Sequence, residues 1–332
     1  MSASSFNKAT MYPANPGFKV TKSGLLSLVQ DLGRYGCHNI GLTTGGPLDP
    51  YAFKWANRLL ANELNASAIE ISIGGLALEA LVDTRICITG AEIEFTINGI
   101  NQPQWQSLAV TAGDNINFGF VSSGVRSYLA VRDGFDIEPT FGSTSTVVRE
   151  GLGGVNGTKL LDGQFLPCAN FEGNDSHLKL ATIPEYKTDI CLRVILGYQH
   201  HAFTALQKRR FFSSVYRVSE HCDRMGYRLT GPEIKPAVDG ILSEGICLGA
   251  IQVPANGQPI VLMNDRQTIG GYPKLGSVLS ADLAKLAQCA QGATIRFEQI
   301  SIEDAHNILH LDKVAFAAMN SVKIEAICLQ PQ

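Results

Sequence analysis

The sequence predicts a mainly β protein with a few helices, its strands wrapped into closed or partly closed barrels. Three observations predict it. Short runs of β-branched and aromatic residues recur between glycine and polar turns along most of the chain. Helical patterns stand isolated among these runs rather than alternating with them, which argues against a doubly wound sheet. Glycine is frequent, at 33 of 332 residues, as many tight turns require.

In chain order, Asp49 is a good N-cap with Pro50 at the first helical position, so a helix is expected over 50–61. Strands are expected over 68–73, 85–89, 93–97, 115–120 and 127–131, with Asn98-Gly99 as a hairpin turn. The stretch 167–189 has little periodicity and several turn residues, and is read as a boundary. Beyond it come strands over 192–196, 215–218, 249–253, 260–263 and 294–299. Helices are expected over 201–211 and over 281–289 with Ser280 as cap, and an amphipathic one over 302–319. The expected organisation is a β-rich half over 17–166, a second half over 190–298, and a closing helix over 302–319, the halves packed tightly.

Charge and composition narrow the function classes. Lys plus Arg number 27 against 30 Asp plus Glu, with no basic run, so nucleic acid is not an expected partner. No apolar run is long enough to span a bilayer. The first residues, MSASSFNKATMYPANPG, lack the apolar core of a secretion signal and read as a lead-in. Eight scattered cysteines without a CxxC pair read as reduced thiols, and a cytoplasmic location is expected.

Ionisable groups cluster in three places. The apolar run 259–263 ends in Asn264, Asp265, Arg266 and Gln267, followed by Gly270-Gly271 and Tyr272-Pro273-Lys274. Polar groups held at the end of a strand beside a permissive loop are a common site design. Upstream, Asp223, Arg224 and Arg228 surround Met225-Gly226-Tyr227. Near the N-terminus stand Gln30, Asp31 and Arg34, then Asp49, Asn57 and Glu70. An arginine fork suits carboxylate, phosphate or carbamate oxygens, and a nearby Asp can hold it or act as a base. Each Asp–Arg pair also has a purely structural reading, and the N-cap role explains Asp49 fully. Glu70, in an apolar run, needs a cation or a shifted pKa, with Arg126 a candidate partner. The turn 142–146 lacks the lysine of a phosphate loop and reads better as an ordinary Ser/Thr-rich turn. His200-His201 and His221-Cys222 fit no zinc spacing, so no metal is expected. Cys222 as a nucleophile stays open, and no G-x-S-x-G elbow is present.

The motifs together resemble the allophanate hydrolase subunit 2 family, also called the biotin-dependent carboxyltransferase-like family, which includes the C subunit of bacterial 5-oxoprolinase. Gln30-Asp31-Leu32-Gly33-Arg34-Tyr35-Gly36 is similar to its Q-D-x-G-R-x-G. Gly45-Gly46-Pro47-Leu48-Asp49, with Ala52 and Ala56-Asn57, is similar to its G-x-M-D-x-x-A-x-x-x-A-N. Glu70, Thr89-Gly90-Ala91, Arg126 to Ala130 and Gly142 to Thr146 follow in the family's order, as do the two later clusters. Departures are Leu48 for Met, Val147 for Asp, Gly197-Tyr198-Gln199 for G-P-Q, and Cys222 for Ser. The resemblance implies cyclophilin-like β-barrel architecture and a subunit of an ATP-dependent 5-oxoprolinase, turning 5-oxo-L-proline into L-glutamate. Alternatives it leaves open are a biotin-dependent carboxyltransferase or allophanate hydrolase subunit acting on urea-like amides, with biotin on a partner chain, and a regulatory protein that binds a kinase inhibitor. ATP would be used by the complex, and partners would be other 5-oxoprolinase-type subunits, especially an allophanate hydrolase subunit 1-like chain. The residues that the resemblance and the clusters together mark as catalytic are Asp31, Asp223, Arg224 and Asp265. Those marked for substrate binding are Gln30, Arg34, Asp49, Asn57, Glu70, Arg228, Gln252, Gln267, Gly270, Gly271, Tyr272 and Lys274. One cleft shared by both halves is expected.

Overall fold

Strands between Phe18 and Leu166 form one nine-stranded sheet, and strands between Asp189 and Gln299 close into a seven-stranded barrel. The computed structural model describes residues 17–171, 173, 177–238, 240–319 and 321–324. The lead-in over 1–16 and positions 172 and 174–176 of the expected boundary lie outside the described residues.

Two long strands, Thr84–Ile97 and Asn115–Val131, pair antiparallel through the middle of the first sheet. Each runs on where the sequence suggests two short strands. The register shifts between Gly90 and Phe95, so bulges bend the ribbon without ending it. The bent strand Asn115–Val131 then pairs with Leu76–Ala80 at its start and Ala68–Ser72 at its end. Asn98 and Gly99 both have positive φ, 52° and 79°, and join Ile97 to Ile100 as a two-residue hairpin. Helix α1, Pro50–Arg58, lies on this sheet and buries Ala52, Phe53, Trp55 and Ala56, with the Phe53 ring edge-on to Tyr128.

The barrel order is Asp189–Leu196, Lys274–Val278, Ala250–Gln252, Ile260–Leu262, Gly226–Thr230, Tyr216–Cys222 and Thr294–Gln299. The last strand closes onto the first in parallel, from Asp189 opposite Thr294 to Val194 opposite Gln299. Period-two alternation sorts its residues. Tyr227, Leu229, Ile251 and Val261 fill the interior. Ala250, Ile260 and Leu262 sit together in a separate small cluster with Ile246, on the outer face. There a two-residue ribbon, Glu244–Gly245 against Ile269–Gly270, folds over the barrel wall.

The expected helix over 201–211 begins later. Tyr198–Ala202 is a 3₁₀ turn, and α2, Ala205–Ser213, starts after Thr204, whose hydroxyl accepts from the Gln207 N–H at 3.3 Å. In α3, Ser280–Ala287, Ser280 is the first helical residue and no side chain caps the end. Helix α4, Ile302–Ala318, is capped by Ser301 and returns the chain to α1, where Arg58 donates to the carbonyls of Phe316 and Ala317. Among the described residues no helix is long and apolar enough to cross a membrane. The described cysteines are free thiols.

Candidate functional site

The polar clusters of the two halves do meet, but as a buried seam. Arg224 is at its centre. Its Nε and Nη2 donate to the two oxygens of Asp265 at 2.8 and 2.9 Å. Nη1 donates to Glu70 Oε1 at 2.6 Å, and Nη2 also reaches the Gly46 carbonyl at 2.8 Å. Arg224, Asp265 and Glu70 are all buried. Glu70 Oε2 accepts from the Leu48 N–H at 2.9 Å and the Tyr128 hydroxyl at 2.8 Å. Arg126 stands 3.9 Å from Glu70 and donates to the Tyr227 hydroxyl at 2.7 Å. Asn264 adds bonds to the Gly45 and Pro47 carbonyls, both 3.0 Å. The glycine between them, Gly46, has φ 87°, and a Cβ there would stand 2.9 Å from the Leu32 carbonyl oxygen.

Electrostatics follow from that packing. Burial alone would raise the Glu70 carboxyl, but the guanidiniums of Arg224 and Arg126 outweigh it and hold the group below the ordinary carboxylate range. Burial pushes Asp265 upward against the pull of Arg224, which Glu70 shares. Burial works against the Arg224 charge, and its two carboxylates reverse that and raise its pKa. Asp49 is pushed up by burial, although Gln288, the Ala52 N–H and Tyr186 all donate to it.

The other N-terminal candidates are occupied internally. Asp31 accepts from the Ser143 and Ser145 hydroxyls, both 2.6 Å, and from the Thr144 N–H at 2.9 Å. Arg34 is wholly buried and donates to the carbonyls of Thr140, Ser143 and Ser145. Gln30 spans the Thr146 carbonyl and the Gly46 N–H. Asn57 ties the Ala66 carbonyl to Asn62. The Ser/Thr-rich turn therefore serves to fix Asp31 and Arg34.

An open cleft of about 640 Å³ lies on the outer face of the barrel. Asp223, Arg228, Gln252, Gln267 and Tyr272 line it, with Glu220, His221, Cys222, Met225, Gly226, Ile260 and Leu262. Every lining residue belongs to the second half, so this cleft is carried by the barrel wall and its ribbon and does not include the Gln30–Arg34 cluster, whereas a second cavity of about 550 Å³ lies between the halves, lined by Asp49, Tyr51 and Lys54 of the first and Ser280, Ala284 and Lys285 of the second. Arg228 is exposed, with no ion pair among the described residues. Asp223 Oδ1 accepts from the Met225 and Gly226 N–H groups at 2.8 and 3.0 Å, which fixes the carboxylate at the cleft wall. Gly270 adjoins Gln252 across the ribbon, and the Gly271 carbonyl takes the Ile241 N–H at 2.8 Å. Lys274 does not line the cleft. It is buried in an ion pair with Glu244, and Gln199 bonds both partners, which latches the ribbon to the barrel. Cys222 lines the cleft, and burial pushes its thiol up, away from thiolate character.

Sequence reasoning missed Tyr128, Tyr186, Gln288 and Gln199. The tyrosines sit where apolar ring residues would also fit, and their hydroxyl bonds have no sequence signal. Gln288, directly after α3, bonds Asp49 and the Val125 and Arg126 N–H groups, each at 2.9 Å. A buried amide after an apolar helix face was the available clue. Among the described residues no group of three or more His, Cys, Asp or Glu is placed to hold a metal ion.

Comparison with known proteins adds the context. Residues 40–299 match the family described as carboxyltransferase domain, subdomains A and B. The chain is 38% identical to the 5-oxoprolinase C subunit of Escherichia coli over 290 residues, 86% of this chain and 92% of that protein. It is 29% identical to the urea amidolyase of Saccharomyces cerevisiae over 97% of this chain and 19% of that protein. The crystal structure of the K. lactis urea amidolyase superposes with a TM-score of 0.85 at 27% identity, covering 95% of this chain and 21% of that one.

Proposed function

This chain belongs to the carboxyltransferase-domain family, and from that premise we propose that it is one subunit of an ATP-dependent 5-oxoprolinase, opening 5-oxo-L-proline to L-glutamate together with partner subunits. The observation that carries the proposal is the 38% identity over 92% of the C subunit of the E. coli 5-oxoprolinase. The cleft supports it. Arg228, which has no ion pair among the described residues, offers a planar fork for the substrate carboxylate. Asp223, anchored by two backbone N–H groups, is placed to orient water toward a resonance-stabilised lactam carbonyl. In this reading Arg224, Asp265 and Glu70 are positioning residues: they fix the turn that presents Asp223 and Arg228, and do not touch substrate.

ATP, which the proposed reaction uses, does not fit the residues sequence offers for phosphates. The hydroxyls and N–H groups of Ser143 to Ser145 are spent on Asp31, Ser67, the Thr140 carbonyl and one another, and the Ala52 N–H of α1 is spent on Asp49. We therefore assign ATP to a partner, an allophanate hydrolase subunit 1-like chain or another 5-oxoprolinase-type subunit, in a cytoplasmic assembly. The test is reconstitution with those subunits and assay of ATP-dependent glutamate release. The complete set is expected to turn over and this chain alone to be inactive. Turnover by this chain alone, unaffected by partners, or none from the complete set, overturns the proposal.

A second reading, carboxyl transfer from carboxybiotin to a urea-like acceptor, is favoured by the TM-score of 0.85 to the K. lactis urea amidolyase over 95% of this chain. Biotin would arrive on another chain, and Gln252 and Gln267 would hold its ureido ring. In that case carboxybiotin-dependent carboxylation of urea replaces glutamate release in the same assay.

A further inference from the structure

We infer that Gln252 is the residue by which the cleft selects its ligand: its side-chain amide pairs edge to edge with the cis amide of a five-membered lactam or ureido ring. It donates to the ring carbonyl and accepts from the ring N–H. The inference rests on the proposed function for the location of the site, and it names the group of the substrate that this site reads.

Gln252 is 1% exposed, yet neither its Nε2 nor its Oε1 has a hydrogen-bond partner among the described residues. Nearly every buried polar atom in a folded protein is paired, because leaving one unpaired in a low-dielectric surround is destabilising. This amide is also held in place. Its backbone pairs with Ile260 on one side and Lys274 on the other, so the side chain is fixed on the outer face of the barrel, where it lines the cleft. The space beside it is kept by Gly270. A Cβ at that position would stand 3.0 Å from Gln252 Nε2, 2.6 Å from the end of the Ile246 side chain and 3.6 Å from Gln267 Nε2. Two amides thus converge beside a backbone that has no side chain to fill the gap.

A primary amide presents a donor and an acceptor side by side in one plane. Its complement is an acceptor and a donor side by side on one edge, which a secondary amide offers only when it is cis. Ring closure in a lactam or a cyclic urea imposes that geometry. An open-chain trans amide turns the two groups to opposite edges, and a ring-opened amino acid lacks the N–H and C=O pair altogether. Gln252 therefore separates substrate from ring-opened product, while Arg228, on the same cleft, reads a carboxylate that both possess.

The test titrates the full chain, assembled with its partner subunits, by ligand-observed NMR. The probes are 5-oxo-L-proline, 2-imidazolidinone, and 3-oxocyclopentanecarboxylate, which replaces the ring N–H of 5-oxoproline by CH₂. Gln252→Leu is expected to weaken the lactam about tenfold or more and the ketone clearly less, because the ketone keeps the carbonyl acceptor but lacks the ring N–H. Gln252→Glu keeps the size, removes the donor and should weaken the lactam likewise. Gln252→Leu should melt at or above the wild-type temperature, since an unpaired buried amide is removed, whereas Gln252→Glu buries a carboxylate and should melt lower. Equal loss for lactam and ketone, or a lactam unaffected by either substitution, overturns the inference and leaves the 5-oxoprolinase reading standing. Binding of imidazolidinone but not of 5-oxoproline, lost in Gln252→Leu, supports the inference and overturns that reading. Failure of the wild type to bind any cyclic amide overturns both.

Discussion

Asp223 and Arg224 are neighbours in the chain and opposites in environment. Arg224 points into the seam between the halves, where each of its three nitrogens is engaged by buried acceptors. Asp223 points the other way, into the open cleft. The same split recurs at Asp265 and Gln267, the first in the seam and the second in the cleft. Arg224 is satisfied from within the seam, whereas the cleft retains Gln252 Nε2 with no hydrogen-bond partner among the described residues. A buried ion that is paired reports on architecture, whereas an unpaired polar group that lines an open cleft is a place for a ligand to bond.

The sharpest way to break this comparison is at Arg224. Arg224→Met leaves Glu70 and Asp265 buried without their shared cation, and a loss of roughly 3–5 kcal/mol in unfolding free energy is expected by urea denaturation. Arg224→Lys should also destabilise, because one ammonium cannot span both Asp265 oxygens, Glu70 and the Gly46 carbonyl. Normal stability with turnover lost would move Arg224 into the chemistry.

Arg228 tests the other side. Arg228→Ala should lower turnover of the reconstituted enzyme about tenfold or more, near 1.4 kcal/mol of transition-state stabilisation. Its unfolding free energy should stay within about 0.5 kcal/mol of wild type, as for an exposed residue. Unchanged turnover would remove it from the site.

The seam gives the fold a pH dependence through Glu70. The Glu70 carboxyl is held below its ordinary range when folded, by Arg224 and Arg126 against burial. Its stabilising share is therefore complete above the unfolded glutamate pKa and is lost as pH falls through the folded one. The urea midpoint of wild type should exceed that of Glu70→Gln most at neutral pH, and the gap should narrow on acidification. Asp49, raised by burial, runs in the opposite sense but is present in both proteins. A gap independent of pH would mean that Glu70 is not charged in the fold.

Cys222 should matter least. Its thiol lines the cleft but is pushed up by burial. Cys222→Ser is expected to keep turnover within about twofold and to abolish any sensitivity to thiol reagents at that residue. Loss of turnover would give the sulfur a chemical role.

Particular residues show how far the sequence could be read. The strand Ala68–Ser72 and the hairpin at Asn98-Gly99 were legible, because β-branched runs and turn chemistry are local signals. So was α1, from Asp49 and Pro50. The continuity of Asn115–Val131 was not, because a bulge and a strand end look alike over a few residues. The ribbon Glu244–Gly245 with Ile269–Gly270 is too short to show any period. In the site, composition singled out the correct neighbourhoods, but the direction of each side chain depends on pairing register. One residue of shift separates the cleft from the seam, as at Asp223 and Arg224. Tyr128 and Gln288 escaped notice because their partners, Glu70 and Asp49, are more than fifty residues away in the chain.

The parallel pairing that closes the barrel, Asp189–Leu196 with Thr294–Gln299, sets an order of events on the ribosome. The last strand of the first sheet is complete at Leu166, long before the barrel's last strand emerges. Until residue 224 is made the nascent chain carries Glu70 without Arg224, and from Leu196 to Thr294 it carries the edge of Asp189–Leu196 without its parallel partner. Contacts of such long sequence separation form late and slowly. Nascent intermediates with an open barrel edge are where chaperones find exposed strand, and where a pause in translation does most harm. A polypeptide released before Thr294 keeps an unzipped sheet in the second half, and one released before Arg224 also leaves Glu70 with Arg126 alone.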